Sequence, residues 1–161
     1  MQAEASIVNQ SPAIAVRRAT AREADAAFSL IEEYYDAIGV VVRDDRSSLE
    51  HYLASPDSSI WVAYVSDLPA GCVMLRPLLQ IPFAAEVKRL YVRPAYRGLK
   101  LAHALMQAVE DHARREGLQW LYLDTKDDLH AAIHFYLSTG YTHCPRYNDN
   151  PQATIFLRKQ L

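Results

Sequence analysis

The chain has 161 residues, half of them hydrophobic and 22% charged, which suits one soluble domain with a proper core. A formal net charge of −2 points away from nucleic acid and from anionic membrane surfaces. No apolar run approaches the roughly 20 residues needed to cross a bilayer. Residues 1–12 lack the features of a signal peptide, and Cys72 and Cys144 stand outside any Cys-x-x-Cys pattern. A reduced, cytoplasmic setting is expected, with both thiols as buried small hydrophobes.

In chain order, residues 1–12 (MQAEASIVNQSP) read as a flexible tail and residues 13–161 as a single domain. Ala13–Arg18 is a short first strand. Thr20 and Glu23 make a capping box for a helix carrying Ala24, Ala27, Phe28, Ile31, Tyr34 and Tyr35 on one face, ending near Gly39. Ser47 or Ser48 is expected to cap a second helix, stopped by Ser55-Pro56. Ser59–Ser66 is a strand, Asp67–Ala70 a turn, and Gly71–Leu78 the antiparallel partner. Residues 86–92 form a further strand, and a long helix runs from Leu99 or Lys100 to Glu116, closed by Gly117. Trp120–Thr125 is a short buried strand, parallel to its neighbour because a helix intervenes. A helix from Asp127 or Asp128 to Ser138 and strands at Tyr141–Cys144 and Thr154–Lys159 complete the chain.

The stretch Glu86–Glu116 carries the strongest chemical signal. A helix entered through the basic loop Arg93-Pro-Ala-Tyr-Arg-Gly98 presents unpartnered N–H groups and the positive end of its dipole. Arg97, Gly98 and Lys100 suit that site to a phosphate or pyrophosphate. These residues alone also fit an ordinary turn with solvated cations. They form neither a Walker loop nor a dinucleotide fingerprint.

Arg97-Gly-Leu-Lys-Leu-Ala102, following the strand end Leu90-Tyr91-Val92, resembles the acyl-CoA signature of the GNAT superfamily of N-acetyltransferases. Arg97 and Ala102 match, while Lys100 stands where the family usually has glycine. Ala132–Tyr141 resembles the family's second landmark, Ala-x-x-x-Tyr-x-x-x-Gly-Phe/Tyr. The resemblance is strong over residues 84–141 and weaker before. It implies an α/β fold with a mixed, mostly antiparallel central sheet, splayed at a cofactor cleft and flanked by about four helices. It implies acetyl-CoA as acyl donor, with Leu90, Tyr91 and Val92 along the pantetheine and Arg97, Gly98, Leu99, Lys100, Leu101 and Ala102 at the pyrophosphate. If Lys100 is already helical, its side chain costs little, and its ammonium adds a point charge.

The implied chemistry is attack of an amine on a thioester, helped by a base near the amine and an acid near the leaving thiolate. Glu86 is the candidate base, with a salt bridge to Lys88 or Arg89 as its other reading and an ordered water as the alternative base. Tyr136 is the candidate acid, since a phenol is protonated at neutral pH; its other reading is a core tyrosine. His130 and His134 stand at metal-ligand spacing, but no third ligand is evident, so no metal is expected. One of the pair is read as solvated and one as facing the cleft, with His130 assigned to the cofactor side.

The resemblance implies that Tyr147-Asn-Asp-Asn-Pro151, a stretch that equally fits a tight turn, makes one wall of the acceptor pocket and that Tyr34 and Tyr35 with the loop to Arg43 make the other; Tyr34, Arg89, Tyr147 and Asn150 are the candidate acceptor contacts. Arg43, Arg76 and Arg89 suggest a small amine that also bears a carboxylate or another polar group, an amino acid or a related metabolite. A protein N-terminus or lysine is the alternative acceptor. A non-catalytic CoA-binding module is a third reading, because of Lys100. The resemblance leaves a homodimer through the terminal strands open.

Overall fold

The computed structural model describes residues 10–161, so the first nine residues of the expected tail lie outside the described residues. Seven strands make one sheet in the order β1-β2-β3-β4-β5-β7-β6. They are β1 (Ile14–Arg18), β2 (Ser59–Val65), β3 (Leu68–Pro77), β4 (Ala84–Val92), β5 (Trp120–Thr125), β6 (Thr142–His143) and β7 (Ile155–Gln160). Four α-helices flank them: α1 (Ala24–Ile38), α2 (Arg46–Ala54), α3 (Leu101–Arg115) and α4 (His130–Ser138). Every pairing is antiparallel except β4 with β5, as the intervening helix predicts.

Strand alternation sorts the core into two layers. Ile60, Val62, Tyr64, Cys72 and Met74 pack with α1 and α2, while Trp61, Ala63, Val65, Val73 and Leu75 pack with α3. Helix α3 meets the sheet through Leu101, Leu105, Met106, Val109 and Ala113, one face of a helical repeat. Both Thr20–Glu23 capping bonds form, and Gly39 closes α1 in the left-handed conformation. Cys72 is fully buried, and burial pushes its thiol up to about 12, whereas Cys144 is only half-buried.

Several boundaries differ from the sequence expectation. Asp45, not Ser47 or Ser48, caps α2: its Oδ1 accepts from the Ser48 N–H at 2.8 Å. The β2–β3 turn tightens to Ser66-Asp67, both left-handed, the geometry that matches strand twist in a two-residue hairpin. Helix α4 starts at His130 because residues 126–129 form a turn, with the Leu129 N–H bonded to the Lys126 carbonyl and the Asp127 N–H to Thr154 Oγ1. Among the described residues no helix is long and apolar enough to cross a membrane.

Candidate active site

The site begins with a fault in the sheet. Cys72 pairs with Tyr91 and Met74 with Lys88, so β4 carries one more residue than β3 across this step. Arg89 absorbs the extra residue in a left-handed conformation at φ 54°, which makes a β-bulge and bends the strand. Beyond Glu86, β4 no longer pairs with β5. The backbone of Leu90 and Val92 is therefore unpaired on its β5 side, and a cleft of about 920 Å³ opens there.

Of the residues assigned to the cofactor, Leu90, Tyr91, Val92, Arg97, Gly98, Lys100, Leu101, Ala102 and His130 all line this cleft. Leu99 does not; its side chain packs against the core. The first turn of α3 lines the cleft through Leu101, Ala102 and His103 with Arg97 and Lys100 beside it, and the unpartnered N–H groups of a helix start with two cations make a donor set suited to phosphate. Lys100 is the N-cap, at φ 59° and ψ 29°. It is left-handed, not helical, which corrects the expectation of a cheap side chain: a non-glycine residue there costs about 1 kcal/mol. This is the physical reason glycine suits the position. The lysine nonetheless keeps its N–H and its charge.

A second cavity of about 730 Å³ joins the first through Tyr34, Lys88, Arg89 and Asp124, which line both. Its walls are the α1–α2 loop and the segment 148–153. Arg146 braces that segment by donating to the carbonyls of Asn148, Asn150 and Ala153. Gln152 ties the two walls together, donating to the Gly39 carbonyl at 3.2 Å and accepting from the Val41 N–H at 3.1 Å.

Asp124 is the hub of the junction. Its Oδ2 accepts from Asn148 Nδ2 at 2.6 Å, Asn150 Nδ2 at 3.3 Å and Lys88 Nζ at 3.3 Å. Its Oδ1 accepts only from Lys88, at 3.2 Å, among the described residues. A carboxylate has about four lone-pair sites, so Oδ1 has room for one more donor. Sequence reasoning missed this residue. The available signal was a carboxylate near the end of the apolar strand Trp-Leu-Tyr-Leu-Asp-Thr, where ligands gather beyond strand ends.

Glu86 lies elsewhere. It is 1% exposed and lines neither cavity. Arg76 donates to its Oε1 at 2.7 Å, Asn148 to its Oε2 at 3.0 Å, and Lys88 approaches within 3.8 Å. The expected cleft-facing base is thus a buried ion-pair partner standing behind Asn148 and Lys88. Its predicted pairing with Lys88 is present but long, and Arg76 is the nearer cation.

Tyr136 is buried, lines the cofactor cleft, and stacks edge-on with Phe135 and Tyr141. Burial chiefly, then the Tyr34 phenol and the Asp124 carboxylate, push its phenol far above the ordinary range. Tyr34 sits between the cavities, and burial pushes its phenol up to about 12 against the opposing Arg89.

Of the acceptor contacts, Tyr34, Arg89 and Asn150 line the second cavity and Tyr147 does not. Tyr147 packs instead with Leu78, Ala84 and Tyr122, its hydroxyl buried without a hydrogen-bond partner among the described residues. Nor are the three arginines available: Arg43 pairs with Asp36, Arg76 with Glu86 and Arg89 with Asp44. His130 faces the cleft and His134 is exposed away from it. Among the described residues no group of three His, Cys, Asp or Glu side chains could hold a metal ion.

The profile of the Acetyltransferase (GNAT) family matches residues 24–141. An uncharacterized N-acetyltransferase of Schizosaccharomyces pombe is 40% identical over 139 residues, spanning 82% of this chain and 85% of that protein. An IAA acetyltransferase of Azospirillum brasilense is 30% identical over 142 residues, 85% of this chain and 92% of that protein. The fold matches the PaiA N-acetyltransferase of Thermoplasma acidophilum, solved in complex with coenzyme A, with a TM-score of 0.77 at 16% identity, over 92% of this chain and 99% of that one. A splayed sheet, a basic helix entrance and these relatives agree: the chain belongs to the GNAT family and is an N-acetyltransferase by class.

Proposed function

We propose that this protein transfers the acetyl group of acetyl-CoA to the primary amine of a small molecule, with Asp124 receiving the amine and Tyr136 serving the leaving thiolate. The observation that carries this reading is the position of Asp124, where the two cavities meet and where one lone pair of Oδ1 is open. The unpaired backbone of Leu90 and Val92 suits the amide groups of pantetheine, and the N–H groups at 98–102 with Arg97 and Lys100 suit the pyrophosphate.

An acceptor ammonium drawn to Asp124 gives up its proton there, and the neighbouring Lys88 ammonium favours the neutral amine. The amine nitrogen attacks the thioester carbonyl carbon. The C–N bond forms, the nitrogen loses its second proton to solvent as the first passes on from Asp124, the C–S bond breaks, and CoA takes a proton from the Tyr136 phenol, which is replenished from solvent. Glu86 acts at one remove, holding Asn148 and Lys88 against Asp124. The Gln152 bridge across the second cavity supports a small acceptor, because an extended peptide would have to break it.

The test is thiol release from acetyl-CoA with a panel of primary amines, in the wild type and in Asp124→Asn and Tyr136→Phe. Turnover in the wild type that falls about 10²- to 10⁴-fold in each variant, with acetyl-CoA binding kept, is the expected result. Unchanged turnover in Asp124→Asn would remove its assignment.

A further inference from the structure

We infer, on the reading just given, that the acceptor carries its amine on an apolar body and bears no carboxylate: an alkyl- or arylalkylamine, not an amino acid. Of the four cations among the described residues that line the second cavity, Arg76, Lys88 and Arg89 are held by carboxylates and Lys126 by a backbone carbonyl. Arg76 is held by buried Glu86 at 2.7 Å, Arg89 by Asp44, and Lys88 by Asp124 at 3.2 Å. An acceptor carboxylate that drew one of them away would leave a largely buried carboxylate without its cation. Lys126 donates to the Ile38 carbonyl, the last of α1, where a cation answers the negative end of the helix dipole.

The geometry of an α-amino acid makes the conflict worse. Its carboxylate sits on the carbon that bears the amine, so docking the amine on Asp124 sets two carboxylates side by side, and like charges at that distance oppose binding. The apolar surface of the cavity points the same way. Ile38, Val40, Val41 and Val42 line it, and Val41 and Val42 are 78% and 86% exposed. Two consecutive exposed valines at the mouth of a pocket are covered most simply by the hydrocarbon part of an acceptor.

The experiment compares matched acceptors with acetyl-CoA by thiol release: phenethylamine against phenylalanine, tryptamine against tryptophan, isoamylamine against leucine, with spermidine as a polar amine lacking a carboxylate. The expected result is a kcat/KM about 100-fold or more higher for each apolar amine than for its amino acid, and higher than for spermidine. Val42→Asp should lower kcat/KM for phenethylamine about tenfold while leaving the thermal shift produced by acetyl-CoA unchanged. Equal or better use of the amino acids, or of spermidine, overturns this inference and leaves the acetyltransferase reading standing. An acetyl-CoA thermal shift with no thiol release from any amine overturns both.

Discussion

Asp124 shows how much a single side chain can owe to its surroundings. On the sequence it is one acid in an apolar strand, and Glu86 is equally eligible as a base. Glu86 lines neither cavity, because its strand pairs with β5 at that residue and buries it, and on the proposed reading it acts only through Asn148 and Lys88. Glu86→Gln should therefore cost about 2 kcal/mol in stability through its bonds to Arg76 and Asn148, while kcat/KM of the folded protein falls far less than in Asp124→Asn; urea unfolding and thiol release read the two effects. The pH profile gives a second check. Burial holds the Tyr136 phenol protonated, so activity should rise as the acceptor amine deprotonates and should show no alkaline fall up to about pH 10, the ordinary phenol value. A fall near that pH that disappears in Tyr136→Phe would show the phenol ionising in its ordinary range, against the effect of its burial, whereas wild-type turnover in Tyr136→Phe would contradict the acid role. Lys100→Gly relieves the left-handed strain but gives up chain stiffness and a charge. Its stability should change by less than about 1 kcal/mol, and acetyl-CoA affinity, followed by calorimetry, should weaken several-fold.

At the level of elements, the cleft exists because β3 and β4 stay close while β4 and β5 part. Gly71 permits the close approach: a Cβ there would lie 2.6 Å from the Tyr91 carbonyl oxygen. Gly71→Ala must shift that backbone. It should cost about 1–3 kcal/mol and also weaken acetyl-CoA binding, since Tyr91 lies between the two residues offered to pantetheine; a stability loss with unchanged acetyl-CoA affinity would separate the two. The helices were legible where caps and spacing agree, as in Thr20–Glu23 and the apolar face of α1. The bulge was not, because nothing about an arginine announces a positive φ at residue 89. The start of α4 was displaced for a similar reason: residues 126–129 form a separate turn, with the Leu129 N–H on the Lys126 carbonyl, and Thr154, 27 residues away, anchors it through the Asp127 N–H.

Across the whole molecule, acetyl-CoA should act as a folding ligand. Both the β4 backbone and the entrance of α3 face the cleft, so binding joins elements that the cleft leaves apart. Acetyl-CoA at 100 times its dissociation constant should add about 2.7 kcal/mol, roughly 5–10 °C in Tm for a chain of this size. Differential scanning fluorimetry with acetyl-CoA, and with ATP and NAD as controls, reads the effect, and equal shifts from all three would argue against a dedicated acyl-CoA cleft.

The order of elements, the parallel β4–β5 pair and the basic entrance to α3 were determined by the sequence alone. Each rests on local pattern: alternation in strands, a three-to-four spacing in helices, and a phosphate-suited loop at a helix start. Tertiary structure decided which charges are free. Arg43, Arg76 and Arg89 read as anion binders until Asp36, Glu86 and Asp44 are seen beside them. Tyr147 reads as a pocket wall until it turns into the core, and Asp124 reads as unremarkable until two cavities meet on it. A side chain's chemistry depends on its partners and its burial, and those come from residues tens of positions away.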